Sequence, residues 1–348
     1  MTKRGIVLFN LGGPDRLAAV EPFLFNLFND PAVIGLPAPA RWAVAKVIAS
    51  RRNRTAQTIF RQIGGGSPLL ANTEAQAQAL ESALGDGYRA VIAMRYWHPF
   101  AAAAAAALQA WGAEEILLLP LYPQFSGTTT GSSLDDWHRV AARAGITAPT
   151  RAICCYPEEP GFIAAAAEEI RGVLRQWQTP APKRILFSAH GLPQRIVAAG
   201  DPYVWQVEQT VAAICRALAE ELALPGLDWV LCFQSRVGPM KWIKPAIDDE
   251  IRRAGAEKRG VLVVPVAFVS EHSETLVELD IEYRRLAGEV GVPSYLRAPT
   301  VSTNPRFIDA LAALARRGFA ATPAVQSGAG GRLCPHPFGK CRCQSASR

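Results

Sequence analysis

The chain reads as an α/β protein built from two parallel-sheet domains. Short apolar, strand-like runs alternate with helical stretches, the alternation breaks once at a proline-rich segment, and two of the runs end abruptly in ionisable side chains. Such alternation is what β-α-β units produce, and open α/β sheets present their chemistry at the carboxyl ends of strands. With 348 residues, 49% of them apolar, the chain exceeds the size at which single cores usually divide.

Residues 5–10, 90–95, 115–120 and 151–155 form the first set of strand-like runs, with helical stretches between them, among them an alanine-rich one at 101–107. The alternation resumes at 184–188, 228–233 and 260–265. Between the sets lies Gln178-Thr179-Pro180-Ala181-Pro182, whose prolines suppress helix and strand. The reading is therefore a first domain over 1–178, a second over 179–320, and a small, polar, glycine-containing tail over 321–348 that cannot fold by burying apolar surface of its own.

The formal charge is +7, yet the basic residues are scattered apart from Arg51-Arg52-Asn53-Arg54 and lack aromatic interleaving. That pattern argues against a nucleic-acid partner and for attraction to anionic lipid or a small carboxylated ligand. The apolar stretch at 6–11 is too short for a signal-peptide core or a membrane span, so a cytoplasmic, non-spanning protein is expected. Seven cysteines, an odd number, argue against a disulfide framework, and three of them, Cys334, Cys341 and Cys343, crowd the C-terminus as metal ligands do.

The two runs that end in ionisable groups lead into Ser188-Ala189-His190-Gly191-Leu192-Pro193 and Val269-Ser270-Glu271-His272-Ser273-Glu274-Thr275-Leu276-Val277-Glu278-Leu279-Asp280, and they read as one site. Glu271, Glu274, Glu278 and Glu282 follow at spacings that place them on one face of a helix, where like charges repel and couple their titrations. A solvated helix face is the plain alternative, as is a histidine that merely ends a strand. Gly64-Gly65-Gly66 has no Lys-Ser/Thr after it, and Gly12-Gly13 lacks the third glycine of a dinucleotide fingerprint, so both read as tight turns.

At this point the residues resemble a family, the ferrochelatases. The match includes Leu8-Phe9-Asn10-Leu11-Gly12-Gly13-Pro14, Arg61-Gln62-Ile63-Gly64-Gly65-Gly66-Ser67-Pro68-Leu69, Arg95-Tyr96-Trp97-His98-Pro99 and Tyr122-Pro123-Gln124-Phe125-Ser126, followed by Thr129-Thr130-Gly131-Ser132-Ser133. It continues through both ionisable segments and Gln234-Ser235-Arg236-Val237-Gly238-Pro239-Met240-Lys241-Trp242. The resemblance implies two similar Rossmann-like, chelatase-type domains, each a parallel sheet flanked by helices, with an inter-domain cleft for a porphyrin. It implies ferrous iron and protoporphyrin as substrates, in the last step of haem synthesis.

On that resemblance, His190 accepts pyrrole protons, since a neutral imidazole with a reference pKa near ~6.5 is a ready base. Glu274 and His272 form the inner site and Glu278 the next layer of an acidic track. His190 and Glu274 are the expected iron contacts, because nitrogen and oxygen donors hold ferrous iron loosely enough to release it. Trp242 resembles the aromatic wall against the macrocycle, and Arg95 and Tyr96 the far side of the pocket. Ser67 and one of Arg51 or Arg52 look placed for propionates, where guanidinium pairs well with carboxylate. The apolar segments 23–28 and 33–37 resemble a lip over the pocket mouth, and a peripheral membrane contact is the expectation if they are exposed.

The spacing Cys334-x6-Cys341-x-Cys343 is similar to that of bacterial members that carry a [2Fe–2S] cluster, with Cys154 or Cys155 as the fourth donor. Structural zinc or a tail without metal are the alternatives. Gly127 stands where the animal pattern has cysteine, which leaves the fourth ligand open. A coproporphyrin III enzyme and a non-catalytic porphyrin or haem carrier are the competing functions, and monomer and homodimer are both open.

Overall fold

All seven expected strands form, and each lies parallel to its neighbours in one of two sheets. The computed structural model describes residues 1–222, 228–236, 238, 240–322 and 324–343. Within the motif at 234–242, Val237 and Pro239 lie outside the described residues, as do residues 344–348 of the expected tail.

The first sheet contains β1 (Arg4–Asn10), β2 (Tyr88–Met94), β3 (Glu115–Pro120), β4 (Thr150–Ile153) and, from the tail, β9 (Val325–Gln326), in the order β2-β1-β3-β4-β9. Its helices are α1 (Val20–Phe28), α2 (Ala38–Arg61), α3 (Leu69–Leu84), α4 (Ala101–Trp111) and α5 (Ser132–Ala144). Ile6, Val7 and Leu8 are wholly buried, as a central parallel strand covered on both faces requires. Against them α4 presents Ala101, Ala104, Ala105 and Leu108, small residues that let the helix lie close to Val7, Phe9 and Leu118.

The second sheet has the order β6-β5-β7-β8, from β5 (Lys183–His190), β6 (Asp228–Gln234), β7 (Gly260–Pro265) and β8 (Tyr295–Arg297). Around it are α6 (Pro160–Gln176), α7 (Gln194–Ala198), α8 (Tyr203–Leu222), α9 (Ile247–Ala256), α10 (Tyr283–Glu289) and the first part of α11 (Pro305–Ala320). Ile247, Ile251 and Ala254 of α9 pack on Leu186, Val261 and Val263. In both sheets the first strand lies between the second and third, with the fourth outside the third. Chain direction across the sheet therefore reverses beside β1 and beside β5, the position at which open α/β sheets hold ligands.

Two compact units result, Met1–Tyr156 with Leu311–Leu333 and the residues from Arg342, and Pro157–Ala310 with Cys334–Cys341. The change of unit falls earlier than the expected break after residue 178, because α6 packs against α8 of the second unit. Nor does the segment from 321 stand apart, since Val325 and Gln326 pair with Ala152 and Ile153. Among the described residues no helix is long and apolar enough to cross a membrane.

Candidate active site

His190 is the last residue of β5 and pairs with Gln234 at the end of β6. The chain then turns at Gly191, whose N–H donates to the Gln234 carbonyl at 2.9 Å. A Cβ there would stand 2.8 Å from that oxygen and 3.4 Å from the Trp242 ring, so glycine is what allows the turn beside the imidazole. Trp242 thus lies against the His190 turn, with its indole N–H buried and without a partner among the described residues.

After β7 the chain returns to the same sheet end. His190 Nδ1 stands 2.9 Å from Glu274 Oε2. Burial pushes the Glu274 carboxyl up, but the charge and hydrogen bonds of His190 and His272 outweigh it and hold the group far below the usual carboxylate range. An ionised Glu274 can only accept, so the Nδ1 proton of His190 donates to it and a neutral ring carries its lone pair on Nε2. For His190 itself, burial pulls the pKa down while Glu274 and Glu278 raise it, and the net shift is upward. His272 is buried, its Nδ1 donates to the Ser270 carbonyl at 3.1 Å, and its Nε2 faces Glu274 Oε2 at 3.9 Å.

Glu278 follows one turn on, with its pKa raised by burial and by the neighbouring Glu274. Two carboxylates with pKa values pushed apart are suited to different protonation states in one site. Ser235 joins them: its hydroxyl donates to Glu278 and lies 3.3 Å from Glu274 Oε2, and its N–H donates to Glu278 Oε1 at 2.8 Å. Ser235 adopts φ +64°, a left-handed conformation uncommon for serine. Tyr283 also donates to Glu278, at 2.9 Å. Neither Ser235 nor Tyr283 stood out in the sequence as a site residue, and the left-handed conformation of Ser235 leaves no signature there.

The four-glutamate face does not form. Glu274 to Glu282 is a wide π-type helical segment, and Glu271 precedes it, ion-paired to Arg297 at 2.8 Å and accepting from the Thr300 N–H. Glu282 is exposed. Only Glu274 and Glu278 face Ser235.

In the first unit, Arg95 and Tyr96 follow β2, and both engage a residue that sequence reasoning missed, Asp30. Asp30 is buried, and its carboxylate receives Arg95 Nη2 at 2.8 Å, the Tyr96 hydroxyl at 2.9 Å and the Ser132 hydroxyl. Arg95 Nε donates to Ser132 Oγ at 2.6 Å. Ser67 sits in the glycine turn, where its N–H donates to the Pro14 carbonyl at 2.7 Å and its Oγ accepts from Leu69 N. Arg52 lies over the Phe28 ring at 5.9 Å, and Arg51 is exposed. Phe23 and Leu24 are buried with Phe60 and Tyr96, and the exposed large apolar side chains of this region are Leu36, within the expected lip, and Trp42, Val44 and Val47 beyond it.

Cys334, Cys341 and Cys343 are buried, although Pro335, His336, Gly339, Lys340 and Arg342 around them are exposed. Gln206 Nε2 donates to Cys334 Sγ at 3.0 Å. Cys154 and Cys155 are buried beyond β4. Among the described residues no group of three or more His, Cys, Asp or Glu side chains is arranged to hold a metal ion.

A ferrochelatase family model matches residues 3–318. Curated relatives named ferrochelatase include one from Caulobacter vibrioides (strain NA1000 / CB15N), 49% identical over 350 residues with 99% of each chain covered. Another, from Phenylobacterium zucineum (strain HLK1), is 52% identical and covers 99% of this chain and 98% of its own. Among solved structures, SirB from Bacillus subtilis with Fe3+ superposes with a TM-score of 0.50 at 14% identity, over 89% of this chain and 93% of that one, a likeness of fold alone. The π-type segment, the histidine-glutamate contact and the repeated sheet are thus set in a chain that belongs to the ferrochelatase family.

Proposed function

We propose that this ferrochelatase inserts ferrous iron into protoporphyrin IX, with His190 Nε2 taking the pyrrole protons. As a ferrochelatase it is a lyase (EC 4.98.1.1) that inserts iron into a porphyrin in haem biosynthesis, with Fe2+ as substrate. The observation that carries the residue assignment is the 2.9 Å contact between His190 Nδ1 and Glu274, which fixes the tautomer and leaves Nε2 as the base.

In this reading Glu274 stabilises the imidazolium that forms and, with His190, meets the incoming ferrous ion. His272 orients Glu274 from the other side, and Glu278 receives protons beyond it. Trp242 packs on the macrocycle, Arg95 and Tyr96 shape the pocket, and Ser67 with Arg51 or Arg52 meets propionates.

The three tail thiols, with Cys154 or Cys155, suit a [2Fe–2S] cluster by their chemistry and by their burial beside the exposed Pro335, His336, Lys340 and Arg342. Bound there, the cluster would tie the tail down, and it takes no part in the insertion step. Visible absorption of the anaerobically purified protein, and EPR after its reduction with dithionite, test it, with Cys343→Ser expected to abolish both signals and bound zinc as the competing result. The exposed Leu36, Trp42, Val44 and Val47 support peripheral contact with the inner face of the cytoplasmic membrane.

Anaerobic iron insertion into protoporphyrin and, separately, coproporphyrin III tests the function, comparing the unaltered chain with His190→Ala and Glu274→Gln. Preference for protoporphyrin, lost in both variants, is the expected result. Preference for coproporphyrin reassigns the substrate, and porphyrin binding without insertion makes the chain a carrier.

A further inference from the structure

A cavity of about 590 Å³ opens in the first unit between the end of α1, α4 and α5, within the size range of small-molecule sites. Neither His190 nor Glu274 lines it. One wall is the alanine face of α4, including Ala106, whose small side chains leave the space. The charged groups in it are Asp30, Arg95, Asp136, Arg139 and Arg143.

Both acids in the lining are already neutralised. Asp30 is enclosed by Arg95, Tyr96 and Ser132, and Asp136 pairs with Arg139. Arg143 is exposed and has no ion-pair partner among the described residues, and Arg95 uses Nε and Nη2 for Ser132 and Asp30, so its Nη1 is in neither contact. The side chain of Arg95 is 19% exposed and that of Arg139 is 53% exposed, which places Arg95 at the deep end and Arg139 at the rim. A cation entering would meet unbalanced positive charge, whereas an anion would find guanidinium donors in the fork geometry that suits carboxylate and phosphate oxygens.

We propose that this cavity binds a small multivalent oxyanion, a polycarboxylate or a phosphate, through Arg143 and Arg139 at its mouth and Arg95 at its floor. Arg95 is the one residue shared with the porphyrin pocket proposed above; Arg139 and Arg143 belong to this cavity alone, so the inference stands whether or not the substrate reading holds.

Calorimetric titration of the iron-free full-length chain with citrate, and separately with inorganic pyrophosphate, tests it. One equivalent should bind, and Arg143→Ala should weaken it by about tenfold, the effect of one charged hydrogen-bonding group. Arg143 is on the surface, so folding and iron insertion without added oxyanion should be unchanged in that variant. Ala106→Phe, which fills the cavity from the helix wall, should abolish binding. Binding of citrate alone identifies a polycarboxylate site, and of pyrophosphate alone a phosphate site. No binding of either at millimolar concentration, or equal binding in all three proteins, overturns the proposal.

Discussion

His190 Nδ1 and Glu274 Oε2, 84 residues apart in sequence, meet at 2.9 Å because β5 and β7 are adjacent parallel strands whose carboxyl ends lie side by side. One strand delivers the imidazole, and the chain leaving the other delivers the carboxylate. The contact therefore follows from the sheet order that also reverses chain direction at this point.

Glu274→Gln removes the charge that raises the His190 pKa, so the acid limb of the pH–rate profile should move to lower pH while kcat falls by roughly 10²–10³-fold. The sign for stability follows from both partners. The raised His190 value contributes stability below the unfolded value of about 6.5, lost as pH rises through the folded one, and the lowered Glu274 value contributes above about 4.3, lost on further acidification. Urea unfolding of the two proteins should thus differ most near pH 5–6.5, with the difference shrinking as pH rises through the raised His190 value.

Ser235 sets two opposing effects against each other. Ser235→Ala loses the hydroxyl bonds to Glu278 and Glu274 but keeps the left-handed backbone, and should cost about 1.5–3 kcal/mol. Ser235→Gly loses the same bonds but relaxes φ +64°, recovering about 1 kcal/mol. Denaturant midpoints that rank serine above glycine above alanine are expected, and alanine at or above glycine would show that the backbone is not strained.

The sheets and the ionisable ends of their strands were legible because long apolar runs that stop at His190 or pass into His272 and Glu274 leave a clear pattern. β8 and β9 were not, since strands of three and two residues are shorter than any periodicity. Glu-x2-Glu and Glu-x3-Glu spacings fit an α-helix as well as a π-type turn, so spacing alone groups Glu271 and Glu282 with the two glutamates that do converge. Asp30 was hidden for a different reason: its partners Arg95, Tyr96 and Ser132 are distant in sequence, and only packing brings a buried carboxylate to them.

Asp30→Asn tests that buried network. The carboxylate is 2% exposed in its ion pair with Arg95, and neutralising it leaves a largely buried guanidinium without its counter-charge. Loss of one member of such a pair costs about 3–5 kcal/mol. Urea unfolding should show a loss of this size, and one below about 1 kcal/mol would mean the pair behaves as a solvated surface bridge.

Two glycines should respond in opposite directions to the same substitution. A Cβ on Gly66 would stand 2.5 Å from the Asp15 carbonyl oxygen and 2.9 Å from its carbon, both backbone atoms that a rotamer change cannot move. Gly66→Ala must therefore displace the turn whose Asp15 side chain accepts from Trp97 Nε1, at a cost of about 1–3 kcal/mol. Gly172 lies inside α6 with nothing within 4 Å of an added Cβ. Alanine there removes the entropy cost of a helical glycine and meets no clash, so Gly172→Ala should raise stability by about 0.5–1 kcal/mol. Thermal unfolding of the two variants beside the parent protein checks both signs, and a destabilised Gly172→Ala would place an unseen neighbour against that face of α6.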